Sequence, residues 1–198
     1  MANVSDVKSK FFEPDGVDND QVSASGSATT LVIADGGPYG NLTETITLYS
    51  SADNSGNTFT ITGTDGNGDA QTEYLTGPGA AATVNSANKY LTVTSIVSDG
   101  AIATDIQAGI LGTGALTGTV FAGRTRIRGI TGTSKASAGN IVFKNTSITG
   151  TSLLTIPLTG AVSSIDPYIP DNGVLFNAGA YVNITAADIT GVTVYYDG

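Results

Sequence analysis

The chain has 198 residues, 26 of them glycine, only 13% charged, with a formal charge of -9 and a mean hydropathy of +0.11. It contains no cysteine, histidine or tryptophan, which excludes disulfide staples, Cys or His metal sites, cysteine nucleophiles and any mechanism that needs an imidazole. Disordered chains are more charged and less apolar, so a folded chain is expected, with room for one large β domain or two small ones.

Met1 to Asp6 shows no basic region followed by an apolar run, so no secretory signal is expected, and no stretch has the roughly 18 apolar residues of a transmembrane helix. Charge is distributed unevenly. Up to Ala115 there are three basic residues against thirteen acidic ones, whereas from Leu116 onward there are five against four. Net charges of -10 and +1 place the two halves in different electrostatic surroundings, as when one half docks and the other is exposed.

Residues 1–26 read as an extended N-terminal arm. Asp, Asn, Ser and Gly dominate from Glu13 to Gly26 and no period of 2 or 3.6 persists. Phe11 and Phe12 are the exception, because leaving each ring in water costs about 1.5–3 kcal/mol relative to burial. They either pack on their own domain or clasp a neighbouring subunit.

Strands follow at close intervals. Thr29–Ala34 ends at an expected turn over Asp35–Pro38; Thr43–Tyr49 and Asn57–Gly63 alternate apolar and polar residues; Gln71–Leu75, Tyr90–Val97 and Ala103–Ile110 complete about six strands. Period-2 alternation with Thr on the polar positions means one buried and one wet face, enough for an acidic sandwich over 27–112. Leu111–Ala115, glycine-rich and uncharged, is the expected joint. A C-terminal sandwich over 116–198 is expected from Leu116–Ile130, Asn140–Asn145, Leu153–Leu158, Tyr168–Phe176, Ala180–Thr185 and Gly191–Tyr196. The only helix-friendly window, Ala186–Asp188, is too short to nucleate. The fold class is therefore all-β: two small antiparallel β-sandwich domains, jelly-roll or Ig-like, preceded by the arm.

Among polar groups, Arg124, Arg126 and Arg128 stand out. At a spacing of two on a strand they would form a row on one face, about 7 Å apart. Such a row suits an acidic protein surface, an ordinary solvated face or a phosphate backbone, and the acidic balance of the chain disfavours nucleic acid. Asp65-Gly66-Asn67-Gly68-Asp69 with Glu73 has the opening of a calcium loop, but Ala70 stands where that loop needs glycine and Thr76 where it needs glutamate, so a hairpin turn is the simpler reading. Tyr168, Tyr181, Tyr195 and Tyr196 are candidates for stacking on sugars or for plain packing. The carboxylates are scattered in turns, the glycine-rich turns lack a P-loop lysine, and no catalytic residue, metal or cofactor is assigned.

The runs Ser152–Pro157, Ile169–Phe176 and Val192–Tyr196, together with Phe59–Gly68, Tyr74–Pro78 and Lys89–Ile96, resemble small structural proteins of tailed bacteriophages, especially those of marine and cyanobacterial phages. The resemblance implies β-sandwich modules assembled in symmetric copies, made in the host cytoplasm and located in the virion. It implies a non-enzymatic decoration or cement protein on the head, a homotrimer that binds the major capsid protein or other virion proteins, with no nucleic acid and no membrane. Phe11, Phe12, Arg124, Arg126 and Arg128 are the expected contact residues. A tail, neck or fibre component, or a receptor- or carbohydrate-binding module, is the alternative.

Overall fold

The computed structural model of the chain describes residues 6–34 and 40–198. Among these there is no helix, and every strand pair is antiparallel. In chain order the strands are β1 (Val7–Phe12), β2 (Asp18–Gly26), β3 (Glu44–Ser50), β4 (Thr58–Thr64), β5 (Ala70–Thr76), β6 (Ala82–Tyr90), β7 (Thr92–Ser98) and β8 (Ile106–Ile110). They continue with β9 (Ala115–Phe121), β10 (Thr125–Ser134), β11 (Ala138–Asn145), β12 (Ser152–Thr159), β13 (Ser164–Ile165), β14 (Val174–Phe176), β15 (Ala180–Thr185) and β16 (Ile189–Asp197).

These strands form two compact units that do not follow the chain in simple succession. The C-terminal unit holds the described residues up to Pro14, Gly40–Leu42 and Thr113–Gly198; the acidic unit holds the segment beginning at Asp15 and Thr43–Gly112. Among the described residues, the segment expected as an N-terminal arm over 1–26 is divided, because β1 belongs to the C-terminal unit and β2 to the acidic one. The cause lies in the alternation Lys8-Ser9-Lys10-Phe11-Phe12: it delivers Phe12 to an apolar core while the backbone of β1 satisfies the edge of β16.

The C-terminal unit is a sandwich. One sheet runs β1-β16-β10-β13, with β14 also paired to β10, and the other runs β12-β11-β15-β9. Both contribute to a single core, in which Phe12, Ile127, Ile130, Val192 and Val194 meet Leu116, Ile141, Phe143, Val182 and Ile184. Pro157 lies on β12, an edge strand, where its missing N–H discourages further pairing.

In the acidic unit a four-stranded sheet, β2-β8-β3-β6, shares a core with a three-stranded one, β5-β4-β7. Ile46, Leu48, Ile106 and Ile110 from the first meet Phe59, Ile61, Val93 and Ile96 from the second. Along β4 the buried Phe59 and Ile61 alternate with partly exposed threonines, as period 2 requires.

Three segments depart from the sequence-based expectation. Thr29–Ala34 makes only an isolated bridge, Thr30 to Val97, and the turn expected over Asp35–Pro38 lies outside the described residues. Ala82–Tyr90, built largely of small and polar residues, forms β6 because β3 offers it a ladder. Tyr168–Phe176 is reduced to β14, since Gly173, at a φ of 67°, donates its amide to the Pro170 carbonyl at 2.6 Å and closes a turn.

Candidate functional site

Phe11 and Phe12 are neighbours on β1 and face opposite ways. Phe12, across the ladder from Val192, is completely buried; Phe11, across from Thr193, remains 47% exposed on the outer face of the five-stranded sheet. Its ring is nonetheless supported, because it covers Gly191, where an added Cβ would meet the ring within 2.6 Å. Tyr195, also partly exposed, lies in the same way against Gly129, its partner across the β16–β10 ladder. Aromatic rings laid over strand glycines replace the side-chain contacts that glycine lacks. Together with exposed Val7 they make a pre-ordered, half-apolar strip on one sheet face.

The two lysines of β1 point away from that strip. Lys10 donates to the Thr119 carbonyl at 2.7 Å and lies 5.7 Å from the centre of the Phe12 ring, and burial lowers its pKa. Lys8 donates to the Gly198 carbonyl at 2.8 Å and stands over the Phe121 ring. Both act as hydrogen-bonded cations over aromatic faces. The alternation of Lys8 and Lys10 with Phe12 on the same side was the signal in the sequence that could have found them.

The three arginines do not form a uniform row. Arg124 precedes β10, and a bulge between Ile127 and Gly129 interrupts the alternation at Arg128. Arg126 donates to the Asn172 carbonyl at 2.9 Å, and the Arg128 guanidinium lies 3.7 Å from the Asp197 carboxylate. Thr125, buried between Arg124 and Arg126, donates its hydroxyl to the Asp197 carbonyl. Arg124 makes no hydrogen bond or ion pair among the described residues. With Arg126, Leu175 and Asp197 it borders a shallow depression of about 280 Å³.

Asp65 uses its carboxylate inside its own turn: Oδ1 accepts the amides of Asn67 at 2.8 Å and Asp69 at 3.0 Å, and Oδ2 accepts Asn67 Nδ2 at 3.1 Å. Glu73 is drawn elsewhere, accepting the amides of Ala87 and Asn88 at 2.7 and 3.0 Å. The geometry is therefore that of a hairpin turn with a capping aspartate. No group of three His, Cys, Asp or Glu side chains among the described residues is placed to hold a metal.

The tyrosines are not gathered into a platform. Tyr181 is buried, Tyr196 packs on the core and stacks at 5.9 Å with Phe121, Tyr195 lies on the outer strip, and Tyr168 stands 85% exposed by itself. A separate polar trough of about 560 Å³ on the C-terminal unit is lined by Asn140, Lys144, Asn183, Thr185 and Asp188.

Comparison with known proteins adds no relative: no family model, no curated protein and no solved structure matches the chain. The folded class is that of antiparallel β-sandwich units.

Proposed function

We propose that this chain is a non-enzymatic structural protein of a tailed-phage virion, a decoration or cement protein that binds the major capsid protein as a homotrimer. The observation that carries the reading is the strip Val7, Phe11 and Tyr195, whose rings are held over glycines and so lose little freedom on docking. Of the five residues singled out in the sequence, Phe11 and Arg124 are the ones left available for a partner; Phe12, Arg126 and Arg128 have structural partners within their own unit. Pre-ordered aromatic anchors and an uncommitted arginine on the same unit are residue types enriched at interface centres, and repetition around a symmetric particle turns modest contacts into avidity. The resemblance to phage structural proteins supplies the partner.

The test is co-sedimentation of the purified chain with undecorated heads built from the capsid protein of the same phage, alongside light scattering of the free chain. Binding that is lost in Phe11→Ser and Arg124→Ala, with the fold intact, supports the reading. A strict monomer that ignores the heads removes it.

A further inference from the structure

Glu44 opens β3 and is completely buried, and neither of its carboxylate oxygens has a hydrogen-bond partner. It shares its side of the strand with the core residues Ile46 and Leu48. Burial of a carboxyl without donors penalises the charged form. The ionisable groups facing it come from two elements. β6 contributes Lys89 and, directly across the ladder, Tyr90; the segment ahead of β2 contributes Asp15. Beyond the end of β8 the Gly112 amide lies close to the carboxylate but outside hydrogen-bonding geometry, and it opposes the rise only slightly. Among the described residues of the acidic unit, ten carboxylates share a single lysine or arginine, and it is Lys89.

The surroundings are tightly closed. Gly112, at a φ of 63°, lies against the backbone of Gly16 and Val17 so closely that a Cβ there would sit 2.5 Å from the Gly16 carbonyl carbon and the Val17 nitrogen. Next to it the Leu111 amide donates to the Thr45 carbonyl at 3.0 Å. Asp15 accepts Gln21 Nε2 at 2.8 Å, and Gln21 Oε1 is another buried acceptor without a donor. The corner thus holds two carboxyls and an orphaned amide oxygen against one ammonium group.

We propose that Glu44 is a proton-operated latch of the acidic unit: protonated, it lets the Asp15–Val17 segment close on Gly112, and ionised, it drives that corner open to water and to Lys89. The burial raises the Glu44 pKa from the usual 4.5 to about 7, against the opposing pull of Lys89, with Asp15 adding to the rise. Because the closed form holds the proton more tightly than the open one, closure is favoured at acid pH. It weakens about tenfold per pH unit between the ordinary glutamate pKa of about 4.3 and the closed-state value, and levels off above neutrality.

The experiment is an NMR titration of the side-chain carboxyl carbon of Glu44 from pH 4 to 8.5, with hydrogen exchange of the Val17, Leu111 and Gly112 amides corrected for the intrinsic rate. A midpoint near neutrality is expected, with exchange at these amides rising roughly tenfold per pH unit up to it, and Glu44→Gln should abolish the rise. A Glu44 midpoint below about 5, or an unchanged pH response in Glu44→Gln, overturns the latch. Should Glu44→Gln fail to fold, Lys89→Met decides. Removing the only cation must move the Glu44 midpoint upward, and an unmoved midpoint also overturns the proposal.

Discussion

The carboxylate of Asp188 occupies the volume that a side chain at Gly139 would need. A Cβ on residue 139 would overlap both carboxylate oxygens, and Asp188 has little room to retreat because it is buried and bonded. Its Oδ1 accepts the Ser137 hydroxyl at 2.9 Å, its carbonyl accepts the Lys135 amide at 2.8 Å, and its amide donates to Thr185 at 2.9 Å. One glycine thus admits the residue that ties the β15–β16 turn to the β10–β11 connection. Gly139→Ala should destabilise the C-terminal unit by about 1–3 kcal/mol, as overpacking does. Urea unfolding measures this, and most of the loss should vanish when the change is made in an Asp188→Gly background, where the obstacle is gone.

The two phenylalanines of β1 should separate by effect. Phe12→Ala leaves a cavity in the core of the C-terminal unit and is expected to cost about 3–5 kcal/mol. Phe11→Ser removes a half-exposed ring from Gly191 and should cost no more than about 1 kcal/mol. Denaturation midpoints of the two variants check the contrast, and equal losses would mean that Phe11 belongs to the core.

At the bulge between Thr45 and Thr47 the ladder from β3 to β6 is interrupted, and the buried Ile46 amide is satisfied instead by Ser86 Oγ at 2.9 Å. Ser86 in turn donates to the Asn88 carbonyl at 2.7 Å. Ser86→Ala strands a buried N–H, and a loss of about 1–3 kcal/mol is expected in the acidic unit. Thermal unfolding reads the loss, and Ser86→Thr, which keeps the hydroxyl, should recover part of it.

Asp65 gives a prediction about ions. Since its carboxylate already receives three hydrogen bonds from its own turn, Asp65→Ala should lower stability by about 1 kcal/mol in buffers with and without calcium alike. A calcium-dependent rise in the wild-type melting temperature that disappears in Asp65→Ala would reverse the assignment of this loop as a turn.

The arginines differ in their expected contributions. The Arg128–Asp197 pair is partly exposed at 3.7 Å, so Arg128→Ala should cost at most about 1 kcal/mol, and less in high salt. Arg124→Ala should leave unfolding unchanged and act only on partner binding, which co-sedimentation with capsids reads directly.

Much of the architecture was legible in the alternation of residue types. The alternating runs Asn57–Gly63 and Ala180–Thr185 correspond to β4 (Thr58–Thr64) and β15, because burying every second side chain is enough to specify a face. The period says nothing about which strand lies alongside. β1 pairs with β16, 180 to 190 positions away, and this pairing turned part of an apparent arm into a sheet edge. Small polar residues hid β6 for the converse reason, since its ladder partner β3, not its own side chains, makes it a strand.

Local composition and alternation thus specify an all-β chain, the acidic and near-neutral character of its parts, and the apolar residues available for two cores. Packing of distant segments settles that Phe12 is core while Phe11 is surface, that Arg128 falls at a bulge with its guanidinium 3.7 Å from Asp197, and that Glu44 is sealed from water beside the one lysine of its unit. The physical reason is the same in each case. Alternation along a strand is a local property, whereas burial, register and the partner of a charge depend on what a distant segment places beside it.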